Sequence, residues 1–139
     1  MEIETMSDHA ISKARAWADL ICEAMAALAA LEDGDAETVS FNNETFDDAD
    51  TLRKRIQEMP LSFQVRGGWY SPGGDKPDPE EYEILLSTGG PALRIFGEID
   101  GIPSLQWQDW GTPWTDYNDT TNEQDEAISG FVGLFWFGD

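Results

Sequence analysis

The sequence predicts an α+β fold: an antiparallel meander sheet of three to five strands, with a long N-terminal helix, a second helix and a C-terminal helix packed on one face. Three observations predict it. Apolar residues step by three and four from Ser7 to Glu32, alternate with polar residues from Leu61 to Trp107, and step helically again after Thr121. With 139 residues, 40% of them hydrophobic and 12% aromatic, the chain reads as a single domain over residues 1–139, frayed at 1–6.

The first helix starts at Ser7 as N-cap and ends near Glu32. Its apolar stripe is Ile11, Trp17, Leu20, Ile21, Ala24, Met25, Leu28 and Leu31, in an alanine-rich run of high helix propensity. Gly34 in "EDGD" sits where a left-handed residue closes a helix. Next, Val39 and Phe41 alternate with polar neighbours, and Asn42-Asn43 reads as a turn, so a short strand or hairpin is expected. Asp47 or Asp48 then caps a second helix with Ala49, Leu52, Ile56 and Met59 as its buried stripe. Its acids lie early and Arg53-Lys54-Arg55 later, as the helix dipole favours, and Pro60 stops it.

The middle of the chain is β. Leu61, Phe63 and Val65 fall on one face, and a Gly- and Pro-rich connection, "WYSPGGDKPDPEE", follows. Tyr82, Ile84 and Leu86 share a side, "GGPA" is a turn, and Leu93, Ile95 and Ile99 oppose Arg94, Phe96 and Glu98. In "LQWQDW", Leu105 and Trp107 face one way and Trp110 the other, while Trp114 after the "GTPW" turn folds back over a sheet edge. Thr121 or Asn122 caps the last helix, whose stripe is Ile128, Phe131, Leu134 and Phe135. Gly130 and Gly133 weaken that helix or permit close backbone packing.

Chemistry is sparse. The single cysteine, Cys22, lies within a helical pattern and reads as a structural thiol in a reducing compartment. No signal-peptide pattern opens the chain, and the apolar run Ala24 to Leu31 is far short of the ~20 residues of a membrane span. A cytoplasmic protein is expected. Any Ser–His or Cys–His nucleophilic pair would have to use the lone histidine, His9, and nothing nearby recommends it. Phosphate-loop and nucleophile-elbow motifs are absent from the sequence. "RGGWYSPGG" lacks the lysine and helix of a phosphate cradle. "EDGDAE" groups oxygens without EF-hand spacing and reads as a solvated helix end. The expectation is no enzyme, no cofactor and no metal.

Charge says more. Twenty-eight acidic residues against eight basic ones give −20, beyond the magnitude of about 2–8 that keeps a small domain soluble. Such a field repels nucleic acid and anionic membranes and attracts basic protein surfaces.

The series "MPLSFQVRGGWYSPG", "EEYEILLSTGGPALRIFGEID", "LQWQDWGTPWTDY" and "FWFG" resembles a group of small acidic proteins encoded in bacteriophages, prophages and plasmids. The likeness runs from Asp47 to Gly138; "LSTGGPA" and "QDWGTPW" are its most specific segments, and the N-terminal helix matches in character only. The group carries no assigned activity, so the resemblance transfers no catalytic residue. It implies a mobile-element setting, and with it an inhibitor of host defence, of anti-CRISPR or anti-restriction type, in the bacterial cytoplasm.

The acids fall in groups. Glu32, Asp33, Asp35, Glu37, Glu44, Asp47, Asp48 and Asp50 flank the short strand after the first helix. Asp75, Asp78 and Glu80, with Glu81 and Glu83, occupy the long β connection; Asp116, Asp119, Glu123, Asp125 and Glu126 precede the last helix. DNA carries one charge per roughly 1.7 Å of axis, so a fixed ridge of carboxylates would address the same lysine and arginine grooves. The expected partner-binding set is the first group, Asp75, Asp78 and Glu80, plus Trp69 and Trp110 as aromatic anchors. Most of the other rings are expected in the core. Two alternatives remain: an adaptor for a basic protein without mimicry, and a carbohydrate-binding or hydrolytic protein using tryptophan and carboxylates.

Overall fold

The computed structural model describes residues 6–88, 91–109 and 112–135. The fold is α+β, as the sequence predicts, and the described residues form two compact units. One holds Pro60–Asn118 together with the first helix up to Ala14; the other holds Arg15–Met59 and Asp119–Phe135.

Helix α1 spans Met6–Glu32. It begins one residue before Ser7, so Ser7 lies within the helix and is not its cap. Its end is a Schellman closure. The Asp35 N–H donates to the Ala30 carbonyl at 3.0 Å and the Gly34 N–H to the Leu31 carbonyl at 3.4 Å, with Gly34 at φ +75°. The buried stripe of α1 differs from the expected one. Ala10, Ala14, Ala18, Ile21, Ala24 and Leu28 are buried, whereas Ile11, Trp17, Leu20, Met25 and Leu31 are half-buried flanks. Hydrophobicity had centred the stripe on the large residues. Burial instead follows the alanine positions with Ile21 and Leu28, and the larger residues lie on either side of that line.

In the second unit, β1 (Val39–Phe41) and β2 (Glu44–Phe46) form an antiparallel hairpin, burying Phe41 and Phe46. Its turn residues Asn42 and Asn43 have φ of 53° and 66°, the paired positive values of a type I′ turn, whose twist matches that of the strands. Helix α2 (Ala49–Gln57) follows, capped by Asp48, and buries Leu52 and Ile56; Ala49 and Met59 are only half-buried. Helix α3 (Asn122–Val132) opens on a capping box. The Gln124 N–H donates to Thr121 Oγ1 at 3.1 Å while Gln124 Oε1 accepts from the Thr121 N–H at 2.9 Å. Ile128, Phe131 and Val132 are buried; Leu134 and Phe135 lie past the helix end and are half-buried. Gln124 also donates to Asp19 of α1 at 2.7 Å, and Gln57 to the Leu134 carbonyl at 2.5 Å, joining the helices of this unit by polar bonds.

The first unit is built on a five-stranded antiparallel meander: β3 (Ser62–Arg66), β4 (Glu81–Ser87), β5 (Ala92–Glu98), β6 (Ser104–Gln108) and β7 (Thr115–Asp116), paired in chain order. Tyr82, Ile84 and Leu86 of β4, Leu93 and Ile95 of β5 and Leu105 of β6 make the buried face, as alternation predicts. Ile99 lies past the end of β5 and is half-buried. Tyr82 lies across from Gly97, whose missing side chain makes room for the ring, and burial pushes its phenol up to about 12.

Strand β3 departs from expectation. Phe63 and Val65 pair with Ile84 and Tyr82 and so share the predicted face, yet Leu61 and Val65 are exposed. Alternation fixes which face a residue takes; it does not say whether anything covers that face at a sheet edge. Trp107 is half-buried beside Leu93 on the apolar face. Trp114, expected over an edge, instead stacks on Arg94 on the opposite, polar face. The "GG" of the "GGPA" turn, Trp110 and the final "WFGD" lie outside the described residues, as do residues 1–5.

Two glycines give opposite expectations. Gly34 has nothing within 4 Å of an added Cβ, so Gly34→Ala costs only its left-handed backbone, about 1 kcal/mol in urea unfolding. Gly130 lies inside α3, where a Cβ would meet only the mobile Met25 Cε at 3.1 Å. Gly130→Ala should therefore stabilise, by up to about 1 kcal/mol in the same measurement.

Candidate functional site

The eight carboxylates around the end of α1 divide into those that hold the scaffold and those that face solvent. Arg53 of α2 bridges Glu32 at 3.0 Å and Asp50 at 2.6 Å, tying the C-terminus of α1 to the first turn of α2. The hydrogen bonds that Arg53 donates to Asp50 and Glu32 raise its pKa above the ordinary value. Arg55 reaches Glu44 of the hairpin at 3.2 Å and Glu58 at 3.9 Å. Asp48 accepts from the Thr51 hydroxyl at 2.8 Å and from the Thr51 N–H at 3.1 Å, and these bonds hold its carboxyl below the usual aspartate range. Four of the eight are thus engaged.

The other four, Asp33, Asp35, Glu37 and Asp47, are exposed, and their side chains make no ion pair or hydrogen bond with a described residue. Two of them sit next to a pinned one in sequence: Asp33 follows Glu32, and Asp47 precedes Asp48. Asp35 and Glu37 follow the Schellman closure, which fixes where the chain leaves α1. Pairs of this kind are individually weak in solvent, but here they fix geometry. The result is a solvent-facing set of negative charges on a tied frame.

The second group lies in the other unit. Glu81 pairs with Arg66 and Glu83 with Arg94, both at 2.7 Å, whereas Asp75, Asp78 and Glu80 are exposed and make no ion pair among the described residues. Trp69, in the same connection, is 104% exposed relative to the free residue. Trp110 lies outside the described residues. The third group is divided between the units. Asp116 accepts from Gln106 at 2.8 Å, and Asp125 accepts from the Thr120 hydroxyl at 2.5 Å near the start of α3.

Sequence reasoning missed the polar face of the sheet. Arg94 lies between Phe96 and Trp114, at 4.4 and 4.3 Å from their ring centres, and donates to Glu83 and to Gln106. Arg66 also lies over the Phe96 ring, at 5.7 Å from its centre, and Gln106 continues the chain to Asp116. Contacts run from β3 to β7 above an open groove of about 440 Å³ lined by Gln64, Arg66, Glu81, Glu83, Arg94 and Phe96 among others. The signal was present in the sequence: arginine, glutamate and glutamine recur at outward positions of successive strands. The strand register needed to oppose them was not legible.

His9 is exposed on α1; Cys22, half-buried, has its thiol pushed up by burial and then by Glu123 and Asp19, away from the reactive thiolate. Among the described residues no three histidine, cysteine or acidic side chains converge on a metal-sized point, and no helix is long and apolar enough to cross a membrane. No family model, curated protein or solved structure matches the chain.

Two measurements check this geometry. Arg94, with 15% of its side chain exposed, holds the part-buried Glu83; Arg94→Met should cost about 2 kcal/mol in chemical unfolding, and Glu83→Gln in the same chain should recover part of it. Asp48 has its pKa lowered in the folded state, so its contribution is present above the unfolded aspartate value, about 3.9, and is lost as pH falls through the folded one. The melting-temperature gap between the parent and Asp48→Asn should therefore be full at neutral pH and close on acidification.

Proposed function

We propose that the chain is a non-enzymatic inhibitor from a mobile element that occupies a basic, nucleic-acid-binding surface of a host defence complex, of CRISPR-Cas or restriction type, by imitating the charge of DNA. The observation that carries the reading is the division of labour around α1 and α2. Three of the four basic residues of that unit, Arg53, Lys54 and Arg55, lie on α2, and both arginines are taken up in internal bridges. They leave Asp33, Asp35, Glu37 and Asp47 unneutralised and held by their neighbours. Fixed carboxylates suit a groove of lysine and arginine because complementary charge speeds encounter and sets register. The resemblance to small acidic phage and plasmid proteins supports the same setting.

A second reading is an adaptor for a basic protein without mimicry. It draws on the full exposure of Trp69, since an indole presented to water is a common interface anchor. Salt and competition separate the two. Mimicry predicts that partners captured from bacterial lysate are nucleic-acid-binding proteins, are displaced by duplex DNA and are lost as salt rises. A local aromatic contact predicts capture that survives salt and falls with Trp69→Ala.

The combined change Asp33→Lys, Asp35→Lys, Glu37→Lys and Asp47→Lys spares every capping and bridging carboxylate. It should leave the circular dichroism spectrum and melting cooperativity intact while weakening capture by at least roughly tenfold. Undiminished binding by that folded variant would rule out this surface.

A further inference from the structure

Strand β3 has one strand neighbour among the described residues: β4 pairs with it, and the sheet order begins there. Edge strands offer a row of main-chain donors and acceptors, which proteins blunt with charge, proline or bulges. Ser62–Arg66 contains no proline and one charge, Arg66, which is bridged to Glu81 at 2.7 Å. Its register with β4 is unbroken. Among the described residues, the strand's own sequence blunts this edge only with Arg66.

Exposed apolar side chains concentrate at the same place. Of the five large ones exposed among the described residues, Leu61, Val65, Trp69 and Tyr70 fall on one stretch, and only Ile102 lies elsewhere. Leu61 and Val65 continue the face carried by Ile84 and Tyr82, so a strand laid beside β3 would extend the apolar face outward. Charge limits what that strand can be. The connection to β4 closes at the Arg66 end through the Glu80 N–H to the Arg66 carbonyl at 2.9 Å, and Asp75, Asp78 and Glu80 are exposed on it. A second copy carries the same charge of −20, and that net repulsion disfavours pairing of two such edges.

We propose that β3 accepts an added strand from a partner protein: an extended segment, apolar at alternate positions and bearing lysine or arginine near the Arg66 end. Main-chain bonds would supply affinity and the side-chain alternation specificity. This surface belongs to a different unit from Asp33, Asp35, Glu37 and Asp47, so the two proposals stand or fall separately.

The probe is a capped synthetic nonapeptide alternating valine and lysine, titrated into isotopically labelled full-length chain that carries the four lysine reversals just described, which removes that acidic surface as a competitor. Amide hydrogen exchange should slow in Ser62–Arg66. Two isomers methylated on alternate peptide nitrogens provide the decisive comparison: an added strand pairs along one edge only, so one isomer should bind and the other should not. Leu61→Lys with Val65→Lys, both at exposed positions, should weaken binding roughly tenfold. Equal binding of the two isomers, or protection outside β3, would overturn the proposal. A chain that dimerises alone through protected β3 amides would name the second copy as occupant and overturn it as well.

Discussion

Self-repulsion is the constraint on which the rest of this molecule depends. A chain carrying −20 can close a compact interior only where its few cations stand between carboxylates that would otherwise push apart. Arg53 stands between Glu32 and Asp50, Arg55 between Glu44 and Glu58, and Arg94 ties Glu83 into the sheet. None of these contacts contributes much alone in solvent. Their value is positional: they join segments distant in sequence, so the acid-bearing turns are held at both ends. The same arrangement leaves neighbouring carboxylates uncompensated, and that residue of charge is what a basic partner would meet.

Hydrogen bonds close the segments that charge alone would leave loose. The Schellman closure after α1, the Asn42-Asn43 turn, the Asp48 cap and the Thr121–Gln124 capping box lie along the second unit. Each satisfies main-chain groups at the point where the chain reverses or a helix starts. The first unit depends instead on an antiparallel ladder, with one apolar face and one face bound by arginine, aromatic rings and amides.

Local signals carried most of the fold. The asparagine pair, Gly34 after an alanine-rich run, and Thr121 three residues before Gln124 each specify their structure within a few residues, and each was legible. Alternation likewise assigned Tyr82, Ile84, Leu93 and Leu105 to the buried face. Non-local facts were not legible. Nothing within β3 tells that it is the outer strand among the described residues, so alternation gave Leu61 and Val65 their face but not their exposure. Trp114 stacks on Arg94, a residue twenty positions earlier, which only the register of β5 against β6 and β6 against β7 brings near. Among the candidate carboxylates, position in sequence could not separate Asp48, which caps, from Asp47, which does not.

The alanine face of α1 has a consequence for how this chain can vary. Ala10, Ala14, Ala18 and Ala24 have no exposed surface, so each methyl is already covered by its surroundings. Trimming such a position to glycine removes one methyl; adding even two carbons has nowhere to go without moving a whole element, at roughly 1–3 kcal/mol each. Over evolutionary time this side of the helix should drift among the smallest residues, while the tryptophan, leucine and methionine flanks exchange freely. A lineage comparison would then find the least bulky positions of the helix to be its most invariant.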